Sequence, residues 1–183
     1  MEKLVEIIKR NSIRIIAIDG RCASGKTTFT KKLAEVLDAE VIHLDDFFLS
    51  IKQKTKERLA EVGGNIDYDR FLRDVLLKLK SSKPFEYQVF DCNSQSLSNK
   101  ILINNNKIII IEGSYSHHPK FINYYDYKVF LTVDQDEQLE RLKIRNPRLF
   151  NRFIDEWIPL EEIYFKTFEI LENADLVINT SNI

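Results

Sequence analysis

The run from Gly20 to Thr28, Gly-Arg-Cys-Ala-Ser-Gly-Lys-Thr-Thr, fits the pattern G-x-x-x-x-G-K-[ST]. A loop of this form wraps its backbone N–H groups around the α- and β-phosphates of a nucleotide. Its lysine reaches the β/γ oxygens and its hydroxyl takes a place on Mg²⁺. Gly20, Ala23, Ser24, Gly25, Lys26, Thr27 and Thr28 are therefore the candidate nucleotide-binding residues. A glycine-bounded turn that held no ligand would need neither the lysine nor the hydroxyl. Two acids belong to the same chemistry. Asp45 follows the apolar run Val41-Ile42-His43-Leu44, and Glu112 ends the run Ile108-Ile109-Ile110-Ile111. A strand-end acid beside a phosphate loop is a Walker-B-type arrangement, in which the carboxylate holds Mg²⁺ directly or through water. Thr27, Asp45 and Glu112 are the candidate metal ligands.

These residues can meet only if their elements are strands and helices of one open sheet. Arg14 to Ile18 is a short, β-branched run suited to a buried parallel strand. Phe29, Leu33, Val36 and Leu37 then recur at helical spacing, so a helix begins near Lys26 and lays its positive end beneath the phosphates. In such a sheet the ligand sits off the carboxyl ends of the strands, and this brings Asp45 to the crevice of the phosphate loop. An average Asp in such a place would be a solvated loop acid or a helix cap. Lys3 to Arg10 reads as an amphipathic helix. Asp67 or Asp69 can cap a helix that carries Leu72, Val75, Leu76 and Leu79.

Further on, about 85–105 reads as a small β-ribbon outside the main sheet, and Tyr127 to Val133 as another strand. Asp134 with Glu137 has the outline of a capping box. Arg141, Arg145, Arg148 and Arg152 follow at offsets of four, seven and eleven, a stripe that Pro147 interrupts. Such a stripe can be a solvated face, helped by Glu137 and Arg141, or a lid over the transferring phosphoryl group. The lid is expected over about 141–158. A last long helix after Pro159 is expected to bury Leu160, Ile163, Tyr164 and Phe168, with a final strand at Ala174 to Ile178. His117 and His118 are expected on a loop surface, because adjacent histidines seldom share a metal. The fold expected is α/β: a three-layer P-loop NTPase fold with a mostly parallel central sheet, helices on both faces and an arginine-bearing helical lid, in one domain over 1–183.

Composition narrows the partners. Against 28 acidic residues stand 27 Lys and Arg in 183, a net charge of −1. No basic field draws such a chain to nucleic acid or to a membrane surface, and a small-molecule partner is favoured. The start lacks a signal-peptide apolar core and no stretch approaches a transmembrane span, so a cytoplasmic protein is expected. The 2 cysteines, Cys22 and Cys92, are expected as free thiols. Assembly is left open, a homo-oligomer included.

In order along the chain, the segment from Ile18-Asp19-Gly20 through Ala23-Ser24-Gly25-Lys26-Thr27-Thr28, then Asp45-Asp46-Phe47-Phe48, Glu112-Gly113, Arg141 with Arg145, and Ala174-Asp175-Leu176-Val177-Ile178 resemble the uridine kinase family of P-loop kinases. That family stands with phosphoribulokinases, nicotinamide riboside kinases and pantothenate kinases. The resemblance implies ATP and Mg²⁺ as cofactors and phosphoryl transfer to a hydroxyl, the 5′-hydroxyl of a nucleoside first of all. It implies Asp45 as the base, with Lys26, Arg141 and Arg145 in catalysis. It further implies Asp45, Phe48, Asp67, Tyr68, Phe90, Gln95 and Arg145 around the acceptor. Phe90-Asp91-Cys92-Asn93-Ser94-Gln95 resembles a pyrimidine-reading Tyr-Asp-Phe-x-x-His but has Phe90 for Tyr and Gln95 for His, and Ser114-Tyr115 replaces the usual Ile-Leu. These departures fall on the base-reading parts and leave the acceptor open among nucleosides, nicotinamide riboside, pentoses and pantothenate-like molecules. A P-loop ATPase or nucleotide-dependent regulatory binder is the rival from another class. A guanine switch would need Asn-Lys-x-Asp, and both Asn99-Lys100-Ile101-Leu102 and Asn106-Lys107-Ile108-Ile109 lack its acid.

Overall fold

The apolar runs condense into one sheet whose every pairing is parallel. The computed structural model describes residues 1–181. In chain order the strands are β1 (Ile15–Gly20), β2 (Glu40–His43), β3 (Phe85–Asp91), β4 (Ser96–Ile103), β5 (Ile109–Glu112), β6 (Tyr127–Thr132) and β7 (Leu176–Asn179). The main sheet runs β2-β5-β1-β6-β7, while β3 and β4 form a separate antiparallel ribbon with an irregularity between Gln88 and Phe90. Alternate residues of a strand face opposite sides. Ile110 therefore joins Ile16, Ile18, Leu33, Val129 and Leu131 in one core, while Ile109 and Ile111 join Ile42 and Phe130 in the other. Helices α1 (Glu2–Arg10) and α2 (Lys26–Leu37) cover the first face. The ribbon packs with the second, together with residues of α4 (Tyr68–Phe71) and of α7 (Ile158–Thr167).

The connection after β2 is tied down at several points. It contains α3 (Lys56–Ala60), capped where Thr55 Oγ1 accepts the Arg58 N–H at 3.1 Å. The Leu49 N–H donates to Asn65 O at 3.0 Å, and Phe48 and Ile66 form an antiparallel bridge.

The arginine stripe is interrupted at Pro147, and two expectations need correction. Helix α5 (Gln135–Arg145) stops at Asn146, whose φ of −140° is not helical, and the chain resumes as a 3-10 turn at Pro147–Leu149 and as α6 (Phe150–Arg152). Asp134 makes no side-chain cap to α5; its Oδ1 accepts from Asn179 Nδ2 at 3.0 Å and so ties the helix start to β7. Finally, α7 ends at Thr167 and keeps Leu160 and Ile163 out of the core, 41% and 51% exposed; Tyr164 is buried as expected at 0%, and Glu161 is buried beside it at 5%. The reason is its seat, for α7 lies against the phosphate loop, where buried polar groups need partners. Among the described residues no helix is long and apolar enough to cross a membrane.

Candidate active site

The phosphate loop begins where β1 leaves the sheet. Gly20 has φ +147°, and a Cβ there would stand 2.0 Å from Leu131 O on β6, so only glycine lets the loop start this close to its neighbour. Gly25, left-handed at φ +83°, then turns the chain into α2. Lys26 Nζ donates to Gly20 O at 2.7 Å and to Arg21 O at 3.0 Å, which places the ammonium at the Gly20–Arg21 end of the loop. Beneath it lies a fully buried acid. Asp19 Oδ1 accepts the Gly20 N–H at 2.7 Å, and its Oδ2 accepts the His117 N–H at 2.9 Å and the Tyr164 hydroxyl at 2.8 Å.

Register delivers the second acid. Glu112 pairs with Ile18 of β1 on one side and with His43 of β2 on the other, so it emerges at the carboxyl edge beside the loop. Its Oε1 accepts from Thr27 Oγ1 at 3.3 Å and lies 2.7 Å from His43 Nδ1. That hydrogen bond raises the His43 pKa, against the opposing effect of burial. Thr27 and Glu112 offer hard oxygen atoms side by side, a donor set that fits Mg²⁺. Among the described residues no three His, Cys, Asp or Glu side chains converge as a self-sufficient metal site. Mg²⁺ does not call for one, since it is held by one or two carboxylates together with substrate phosphates and water.

Asp45 and Asp46 follow β2 in a 3-10 turn and part company there. The Tyr87 hydroxyl donates to Asp46 Oδ2 at 2.8 Å, and Arg70 holds the Asp46 backbone oxygen. Asp45 receives no side-chain hydrogen bond among the described residues. Its carboxylate is exposed on the cleft side with protein on most others, near Gly113, where a Cβ would meet Oδ1 at 3.6 Å. Desolvation from those sides, with the charges of Glu112 and Asp46, raises its pKa, while Lys26 and His43 oppose the rise.

A cavity of about 340 Å³ is lined by Leu49, Gln53, Arg58, Asp67, Tyr68 and Lys120, among others. Asp67 and Tyr68 both line it. Asp67 Oδ1 caps α4 through the Arg70 N–H, and its Oδ2 accepts from Gln53 Nε2 at 2.8 Å. The Tyr68 ring meets the Arg58 guanidinium at 4.3 Å and Lys120 Nζ at 4.6 Å, and stacks on His118 at 4.5 Å. Phe48 is half-buried beside this turn. Phe90 and Gln95 are not brought to the cavity. Phe90 packs into the ribbon at 7% exposure, and Gln95, at the ribbon tip, accepts the Ile51 N–H at 3.2 Å and donates to Cys92 O.

The two arginines also divide. Arg141 is engaged by Glu137 at 2.8 Å, Ala23 O at 3.3 Å and Thr180 O at 2.7 Å, so it braces the phosphate loop against the chain after β7. Arg145 is exposed, with no ion pair among the described residues. His117 and His118 are not on the surface: they are 3% and 6% exposed, because His117 hydrogen-bonds Ala17 O from the loop after β5 and His118 enters an aromatic cluster with Tyr68, Phe121 and Phe168. Burial, with Lys120 and Arg58 nearby, holds the His118 pKa down to about 4. The residues that patterns along the chain miss are Asp19, His43, Tyr87, Gln138 and Glu161. Only Asp19 had a local signal, its place at the last step of β1.

Known proteins resemble this chain in sequence and in fold. Residues 15–147 match the sequence profile of the Phosphoribulokinase / Uridine kinase family. The mouse protein uridine-cytidine kinase-like 1 is 30% identical over 137 residues, which cover 69% of this chain but 25% of the mouse protein, so the chain spans about a quarter of that relative's length. A uridine kinase of Chlamydia pneumoniae is 24% identical over 182 residues, covering 90% of this chain and 81% of its own. Among solved structures, a possible uridine kinase from Bacillus stearothermophilus superposes with a TM-score of 0.70 at 21% identity, covering 91% of this chain and 88% of its own. D-glycerate 3-kinase from Cryptococcus neoformans gives 0.58 at 14%, covering 82% and 78%. At these identities the two structures establish a shared fold.

Proposed function

The chain belongs to the phosphoribulokinase / uridine kinase family, and from that premise we propose that it is an ATP-dependent kinase transferring the γ-phosphoryl group to a hydroxyl of a small molecule, first of all the 5′-hydroxyl of a nucleoside. The observation that carries this reading is the Asp45 carboxylate, which accepts no side-chain hydrogen bond among the described residues and lies near Gly113, within the influence of the Glu112 and Lys26 charges of the phosphate-loop site.

The roles follow from position. The loop amides from Ala23 to Thr28 hold the phosphates, and α2 adds its positive end. Lys26 leaves its own loop carbonyls for the β/γ oxygens. Thr27 and Glu112 would hold Mg²⁺, which supplies charge neutralisation on the phosphates when bound. Asp45 takes the proton of the acceptor hydroxyl, and its raised pKa brings it nearer to the basicity the task asks of it. Arg145 is free to approach the transferring group, whereas Arg141 acts through the loop it braces.

The acceptor is recognised mainly through hydroxyls. Asp67 lines the cavity, while Phe90 and Gln95, at the positions where the resemblance implies pyrimidine reading, differ from the family's Tyr and His. This favours an acceptor class wider than uridine and cytidine, with nicotinamide riboside and simple pentoses as the second reading. The test is ADP release from ATP across uridine, cytidine, nicotinamide riboside, pantothenate and pentoses. One acceptor should stimulate release with saturation; a flat response across the panel would remove the nucleoside reading.

A further inference from the structure

Helix α7 places an acid on the phosphate loop that the mechanism above does not use. Glu161, 5% exposed, accepts the Cys22 N–H through Oε2 at 2.9 Å and the Ser114 hydroxyl through Oε1 at 3.0 Å. One carboxylate thereby joins the first half of the phosphate loop to the turn that follows Glu112. From α5, Gln138 Nε2 holds the other side of the same residue, donating to Cys22 O at 2.9 Å. One turn further along α7, Tyr164 holds Asp19, the residue before the loop. The loop is thus gripped at Asp19 and at Cys22 by side chains of one helix face.

The grip lies at a particular end of the loop. Lys26 Nζ sits at the carbonyls of Gly20 and Arg21, and this lysine serves the β/γ oxygens, so the Gly20–Cys22 side is where the γ-phosphate comes. Burial raises the Glu161 pKa, and the Lys26 charge, the Cys22 N–H and the Ser114 hydroxyl oppose that rise. An apolar side chain in its place would leave the Cys22 N–H and the Ser114 hydroxyl without this partner, so the acid ties the loop to the turn after Glu112.

We propose that Glu161 is a positioning residue for phosphoryl transfer: it fixes the γ-phosphate end of the loop relative to Glu112 and so sets the fit of a triphosphate over a diphosphate. This rests on the kinase reading. It makes the reach of the side chain to Cys22, and not its charge, the quantity that matters.

The experiment measures ATP and ADP affinities by calorimetry, with kcat and KM on the stimulating acceptor, for the full chain and for Glu161→Ala, Glu161→Asp and Glu161→Gln. Glu161→Gln keeps the reach and loses the charge; Glu161→Asp does the reverse. Loss of a charge-assisted hydrogen bond corresponds to a factor of about ten or more. Glu161→Ala and Glu161→Asp should weaken ATP by about that factor and lower kcat, with ADP affinity within about threefold, and Glu161→Gln should restore both. If Glu161→Ala does not fold, the Asp and Gln variants carry the same comparison. Equal losses for ATP and ADP, or an Asp variant that behaves like the parent, would overturn the proposal. A parent protein that binds ATP and transfers to no acceptor would instead count against the kinase reading, while the ATP-to-ADP comparison still decides the role of Glu161.

Discussion

The Tyr87 hydroxyl donates to Asp46 Oδ2 at 2.8 Å, and this one contact separates two adjacent acids that are indistinguishable along the chain. It commits Asp46 to the ribbon and leaves the Asp45 carboxylate to the cleft. Asp45→Asn should therefore lower kcat by about 10²–10⁴ while ATP affinity changes little. Asp46→Asn keeps an acceptor for Tyr87 and should cost less than about tenfold. Steady-state kinetics of the two variants, with ATP binding measured beside them, checks the order; an Asp46 variant worse than the Asp45 variant would reverse the assignment.

The raised pKa of Asp45 gives two pH effects of known sign. As a base it works only when ionised, so the acid limb of kcat/KM should fall at a pH above the ordinary carboxylate range. For stability, a folded-state pKa above the unfolded one means that the folded protein binds the proton more tightly. The ionised carboxylate then costs stability at neutral pH, and the cost fades as pH falls through the raised value. Asp45→Asn should melt at or above the temperature of the parent at pH 7, with the difference closing towards pH 4. Thermal melts at both pH values measure this.

His118 acts in the opposite sense. Its pKa, about 4 in the fold, lies below the ordinary histidine value of 6.5. The unfolded chain takes up the proton first, so the contribution of His118 is complete above about pH 6.5 and is lost as pH falls towards 4. His118→Phe should flatten the decline of stability between these values. Because Asp45, Asp46 and Glu161 have raised pKa values and pull the other way, the difference between variant and parent, not the parent curve alone, is the readout. An unchanged slope would show that burial of His118 is not what acidification disrupts.

The two arginines should separate stability from turnover. Arg141→Ala removes bonds to Ala23 O and Thr180 O as well as the Glu137 pair, and should lower stability by about 1–3 kcal/mol and weaken nucleotide binding with it. Arg145→Ala removes an exposed side chain and should leave the melting temperature unchanged while kcat falls by about tenfold or more. Denaturation and kinetics on both variants distinguish these outcomes.

How much of this was legible along the chain depends on the range of the interactions. The phosphate loop, the strands that flank it and Glu112 are read from patterns of a few residues, and register then brings Glu112 to the loop without further information. The ribbon is visible as broken strand patterns between Phe85 and Ile103, ahead of the turn signal at Asn104 to Asn106. What was not legible is set by contacts between distant segments. Tyr164 and Asp19 stand 145 residues apart, and Glu161 and Cys22 stand 139 apart. Helical spacing assigns Leu160 and Ile163 to the core of α7 because it reads apolar residues as buried; the helix instead presents polar atoms to a loop that needs them. The burial of His117 and His118 escaped notice for the same reason, since their partners Ala17, Asp19 and Tyr68 lie far back in the chain.

The central claim is that a phosphoryl group moves from ATP to an acceptor hydroxyl with Asp45 as base. It is tested most directly by following the γ-phosphoryl of labelled ATP in the presence of the panel acceptors, and recording its partition between acceptor and inorganic phosphate. The account predicts that label appears on one acceptor's hydroxyl in the parent and is nearly absent from it in Asp45→Asn. Label recovered as inorganic phosphate at the same rate with and without every acceptor would contradict it.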